Sequence, residues 1–112
     1  MRQLLKTCTA QITEFGKARQ WWQALQVFRA TQQHGIARDV ILYNALISAL
    51  GKGKQPEQAL EISREMQQLS IACDVITYGA LISAMEKGKQ PEQGLEIFRE
   101  MQQIGIVTVA CD

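Results

Sequence analysis

The feature that most constrains this chain is a duplication. Residues 39–73 read DVILYNALISALGKGKQPEQALEISREMQQLSIAC, and residues 74–108 read DVITYGALISAMEKGKQPEQGLEIFREMQQIGIVT. Twenty-five of the 35 positions are identical. Residues 4–38 align with 39–73 without a gap and match at thirteen positions, among them Gly16, Lys17, Ala24, Leu25, Ile36 and Ala37. The chain therefore divides into a diverged first repeat (4–38), a middle repeat (39–73), a third repeat (74–108) and a tail (109–112). Units of this period bury their apolar faces against one another, and any functional surface recurs at the same spacing.

The apolar pattern inside each unit is helical. In the middle repeat Tyr43, Leu46, Ile47 and Leu50 fall at i, i+3, i+4 and i+7, one stripe of an amphipathic helix. Asp39 stands just before it as an N-cap. Gly51-Lys52-Gly53-Lys54 ends it, glycine acting as breaker and lysine meeting the negative end of the helix dipole. Pro56 suits the first turn of a second helix, where its missing N–H is no loss. That helix carries Ala59, Leu60, Ser63 and Met66 on one face, with Glu57, Glu61, Arg64 and Glu65 on a solvated one. Ile71 anchors the link to the next unit. The third repeat follows suit, with Tyr78, Leu81, Ile82 and Met85, then Gly94, Leu95, Phe98 and Met101. Ala45, Ala49, Ala80 and Ala84 beside the first stripe let helices approach closely. In the first repeat Trp21-Trp22 replaces Pro56-Glu57; one ring is expected inward and the other over the N-terminal end. The expected fold is all-α, a solenoid of three helix-turn-helix repeats with six antiparallel helices.

Composition excludes several classes. A formal charge of +1 on 112 residues gives no global polybasic character, so any nucleic-acid affinity must come from local patterning. Cys8, Cys73 and Cys111 include no CxxC pair and read as free thiols, with no disulfide framework and no zinc site. No apolar run has the length of a membrane span. The N-terminus lacks a secretory signal and gives no clear organelle address. His34, the single histidine, has no nucleophile at a matching spacing, and Gly-Lys-Gly-Lys lacks the strand and Ser/Thr of a phosphate-binding loop. Asp39 and Asp74 read as caps rather than metal ligands. No catalytic site, metal, cofactor, membrane or small-molecule substrate is expected.

Helix pairs at this period occur in several families. The Trp-x-x-Leu-Gly order of tetratricopeptide repeats is absent from the first helices. Instead the chain shows Asp-Val-Ile-x-Tyr-(Asn/Gly)-Ala-Leu-Ile-Ser-Ala, then Gly-Lys, then (Ala/Gly)-Leu-Glu-Ile-x-Arg-Glu-Met, then (Ser/Gly)-Ile. This strongly resembles the pentatricopeptide repeat family, over residues 39–108 and less closely over 4–38. The usual proline before the repeat-closing Asp is Arg38 or Cys73 here.

The resemblance implies single-stranded RNA binding, about one base per repeat, read by two or three side chains, in a mitochondrion or plastid. By position it implies base reading by Asn44 with Asp74 in the middle repeat, a pair associated with pyrimidines and uracil above all. Thr9 with Asp39 holds the same place in the first repeat and is associated with guanine. Gly79 and Val109 occupy it in the third and offer no polar group to a base. Lys6, Ile41 and Ile76 fall at the base-sandwiching position. Independently of family, Thr9, Asn44 and Gly79 are spaced by 35 at the N-terminal part of a first helix, and Lys17, Lys52 and Lys87 recur at the same spacing at first-helix C-termini. The lysine row suits a phosphate track, or complements the helix dipoles. The acids of the second helices would then face outward, so that opposite charges segregate and cancel in the net. Three repeats predict weak binding, on the order of micromolar to millimolar. The other reading is a protein-interaction scaffold using the concave groove, and apolar open ends also suggest self-association.

Overall fold

The computed structural model describes residues 2–33 and 39–105, with side chains from Lys6 onward. The 109–112 tail, Val109, His34, Arg38 and Cys111 lie outside the described residues. Six helices follow in order: α1 (Arg2–Lys17), α2 (Trp21–Gln33), α3 (Val40–Lys52), α4 (Pro56–Gln68), α5 (Val75–Lys87) and α6 (Pro91–Gln103). The fold is the expected all-α solenoid of helix pairs. First helices form one layer, α1 on α3 and α3 on α5. Each second helix packs on its own first helix, and α2 and α4 also pack on the first helix that follows; α2, α4 and α6 do not pack backbone against backbone.

The helix starts obey the sequence. The Asp39 carboxylate accepts the Ile41 N–H at 2.7 Å. At α5 Asp74 and Thr77 form a reciprocal capping box, which satisfies two first-turn donors. Pro56 and Pro91 open α4 and α6 at the first turn. The helix ends differ from expectation. Gly51 lies inside α3, and its role is contact: a Cβ there would sit 3.1 Å from the Ala84 Cβ. Gly16 stands likewise against Ala49, at 2.9 Å. These glycine–alanine contacts set how closely the first helices stack. The left-handed residue of the turn inside each repeat is basic instead, Arg19, Lys54 and Lys89, with φ of 62°, 59° and 60°. Gly53 has an ordinary φ of −84°; it is small because Trp21 lies against it, 2.4 Å from where its Cβ would be.

The core runs between the layers. Tyr43, Leu46, Ile47 and Leu50 are fully buried, as the first-helix stripe requires. The second-helix stripe is corrected by one position. Ile62 and Ile97 are buried, whereas Leu60 is half-buried and Leu95 is 50% exposed. Ala59, Ile62, Ser63 and Met66 keep the i, i+3, i+4, i+7 spacing, and Leu60 stands about 100° off that line. Trp21 is half-buried and Trp22 is 48% exposed, so one ring packs inward as expected. Ile71 is half-buried against the core. Glu65, expected on a solvated face, instead joins two repeats: both its oxygens accept from Arg29, at 3.1 and 3.0 Å.

Candidate nucleic-acid interface

The register places the sequence-derived residues on the first helices and their N-caps. At the start of α3, Asn44 is 8% exposed. Its amide Nδ2 donates to Asp74 Oδ1 at 3.3 Å, so the two residues that the resemblance pairs are in contact across the repeat boundary. A third residue, Thr77, closes the group. Its one hydroxyl hydrogen is shared between Asn44 Oδ1 at 2.5 Å and Asp74 Oδ1 at 3.0 Å, and its oxygen accepts the Asp74 backbone N–H at 3.2 Å. The Thr77 backbone N–H donates to Asp74 Oδ1 at 2.9 Å. The Asn44 orientation follows from this network, because an ionised carboxylate cannot donate and must face the amide nitrogen.

Burial pushes the Asp74 carboxyl upward, but the Thr77 N–H and hydroxyl, the Asn44 amide and the Ile76 N–H together outweigh it. The carboxyl is held below its ordinary range, so it stays ionised and accepting at neutral pH. Asn44 and Asp74 thus form a fixed amide–carboxylate pair with Thr77 as its brace. Thr77 was missing from the sequence-derived site. Its signal was present, because the middle repeat has Leu42 at that position, one of the ten columns in which the two copies differ.

The neighbouring positions are less uniform. Thr9 is half-buried and Asp39 is half-buried as the cap of α3. Gly79 is exposed, with nothing within 4 Å of where a Cβ would be. Ile41 and Ile76 are each 64% exposed, and Lys6 at the same register is exposed. Isoleucines this open contribute little to the core. Lys17, Lys52 and Lys87 end α1, α3 and α5; Lys17 and Lys87 are exposed and Lys52 is half-buried. Among the described residues no group of three or more His, Cys, Asp or Glu is placed to hold a metal ion. No helix among them is long and apolar enough to cross a membrane.

Comparison with family models covers nearly the whole described chain. A pentatricopeptide repeat domain model matches residues 4–53, a PPR repeat family model residues 38–87, and a PPR repeat model residues 76–106. The chain belongs to the pentatricopeptide repeat family. No curated protein matches it. Pentatricopeptide repeats are helical repeats generally linked to RNA binding, and proteins built of them are typically non-enzymatic.

Proposed function

We propose that the protein binds single-stranded RNA along its first-helix face, about one base per repeat and weakly by itself, in organelle RNA processing or stability. The observation that carries this reading is the Asn44–Asp74 contact, a polarised amide and carboxylate held at 3.3 Å, with Ile41 on α3 and Ile76 on α5 each 64% exposed. Such an arrangement leaves the half-buried Asp74 carboxylate, oriented by Asn44, to accept from a base edge, and leaves the isoleucines open to apolar contact. Thr9 with Asp39 would read a second base, whereas Gly79 contributes no side chain to a third. Lys17, Lys52 and Lys87 would follow the phosphates.

Self-association by continued stacking has less support. Ala18 occupies the register of Gly53 and Gly88, where a Cβ would lie 2.4 Å from the preceding repeat's side chain. Glu86 occupies the register of Gly16 and Gly51. Both substitutions oppose another repeat packed in the same geometry.

A titration of short single-stranded RNAs tests the reading. Oligouridine should bind more tightly than oligoadenosine at low salt. Replacing Lys17, Lys52 and Lys87 by Gln should flatten the log–log salt dependence by about 2, at roughly 0.7 per phosphate contact on a single strand. An absence of binding at low salt, or an unchanged salt slope in the triple variant, would sink the proposal.

A further inference from the structure

The two repeat junctions have nearly the same side chains, but one is closed and the other open. At the first, Phe28 of α2 meets Tyr43 of α3 edge-on, ring centroids 4.9 Å apart. Arg29 lies 5.6 Å from the Phe28 ring centroid and pairs with Glu65 of α4. Gln32 donates to Glu65 Oε1 at 3.1 Å and reaches the Tyr43 hydroxyl at 3.4 Å. Thirty-five residues later the corresponding set is Arg64, Gln67, Tyr78 and Glu100, with Ser63 in place of Phe28. These five line a cavity of about 380 Å³ between α4 and α6. Among the described residues Arg29–Glu65 is the one ion pair; Arg64 and Glu100 do not form its counterpart. The missing ring has left the second junction unclosed.

The shape of the opening indicates what fills it. The cavity shares Gln67, Cys73 and Tyr78 with a second hollow of about 340 Å³ that adds Ile71 and Ile104. Together they form a trough, along which a polypeptide could pass while placing one side chain at Ser63. Burial, with the Glu100 charge, raises both the Tyr78 phenol and the Cys73 thiol. Both are therefore neutral at physiological pH, which suits an uncharged ring. The nearby Glu96 and Glu100 would repel a phosphate backbone.

We propose that this trough binds a partner polypeptide by a single aromatic side chain, which takes the place Phe28 holds at the first junction. The ring seats edge-on to Tyr78, and Arg64 closes over it onto Glu100 as Arg29 does onto Glu65. The site is on the second-helix side and is independent of the RNA reading.

The test is an NMR titration of the isotope-labelled chain with the capped tripeptide Ac-Gly-Phe-Gly-NH2 and its leucine counterpart. The phenylalanine peptide should give saturable shifts at Ser63, Arg64 and Tyr78 at millimolar concentration, at least fivefold tighter than leucine. Ser63→Phe, which fills the cavity from within, should weaken binding at least tenfold, whereas Ser63→Ala should not. Circular dichroism reports whether Ser63→Phe folds. Should it not, Arg64→Gln at an exposed position is expected to weaken binding at least threefold. Non-saturable shifts, equal binding of the leucine peptide, or binding unaltered in Ser63→Phe or in Arg64→Gln would overturn the proposal.

Discussion

Replacing Thr77 by Val tests the brace on the Asn44–Asp74 pair most directly. The two side chains are nearly isosteric, and Thr77 is fully buried, so the change exchanges a hydroxyl for a methyl. Asn44 Oδ1 loses its donor in a site only 8% exposed. An orphaned buried acceptor costs about 1–3 kcal/mol. The Asp74 N–H loses its acceptor too, half of a capping box worth about 1 kcal/mol. The added methyl returns about 0.8 kcal/mol. The net expectation is a loss of about 2 kcal/mol, or a fall in Tm of about 8 °C for a domain of this size. Urea denaturation measures the first quantity. Thr77→Ser, which keeps the hydroxyl, separates packing from hydrogen bonding.

A second readout is the titration of Asp74. Its folded carboxyl lies below the ordinary 3.8. Its contribution to stability is therefore present above pH 3.8 and is lost as the pH falls through the lower folded value. Thr77→Val should move the folded value upward, so the difference between variant and wild type narrows in acid. If the variant lies within about 0.5 kcal/mol of wild type, below the range expected of a broken buried hydrogen bond, and Asp74 titrates unchanged, the network does not hold the pair.

Three further outcomes follow from the packing. Gly53→Ala places a Cβ within 2.4 Å of Trp21 Cδ1 and should destabilise by about 1–3 kcal/mol through overpacking; an unchanged urea midpoint and near-ultraviolet tryptophan signal would contradict the contact. Gly79→Ala meets nothing within 4 Å on an exposed helix position and should stabilise by about 0.5–1 kcal/mol, read as a higher Tm. Arg29→Gln removes a two-bond pair to Glu65 that is 47% exposed on the arginine side and should cost about 0.5–1 kcal/mol. Burial raises the Glu65 carboxyl, but hydrogen bonds from Arg29 and Gln32 and the Arg29 charge outweigh it and hold it below 4.5. The Arg29→Gln difference should therefore be full above pH 4.5 and vanish as the pH falls through the folded value, and molar salt should shrink it.

The sequence by itself determined the architecture. A 35-residue period with a 3.6-residue apolar rhythm inside it has one stable solution, because each unit must bury its stripe against the next. The caps at Asp39 and Asp74, the opening prolines and the first-helix core followed from local rules, since N-caps and proline act on their own backbone neighbours. The register by itself marked Thr9, Asn44 and Gly79 as one row, whereas the pairing of Asn44 with Asp74 rested on the family resemblance.

Tertiary structure decided what lies between repeats. Thr77 braces Asn44 over a separation of 33 residues, a contact set by how closely α3 and α5 approach. Glu65 looks like a solvated acid on α4 until α2 is laid beside it. Gly51 and Gly53 look like helix breakers, yet their smallness answers Ala84 and Trp21 from adjacent repeats. Ser63 is an unremarkable residue in its own helix, bonded to the Leu60 carbonyl at 2.7 Å; only the stacking of α4 on α5 turns the absent ring into a cavity. Local propensity acts along the chain, whereas these features are distances between helices, and side-chain volume at the junctions sets those distances.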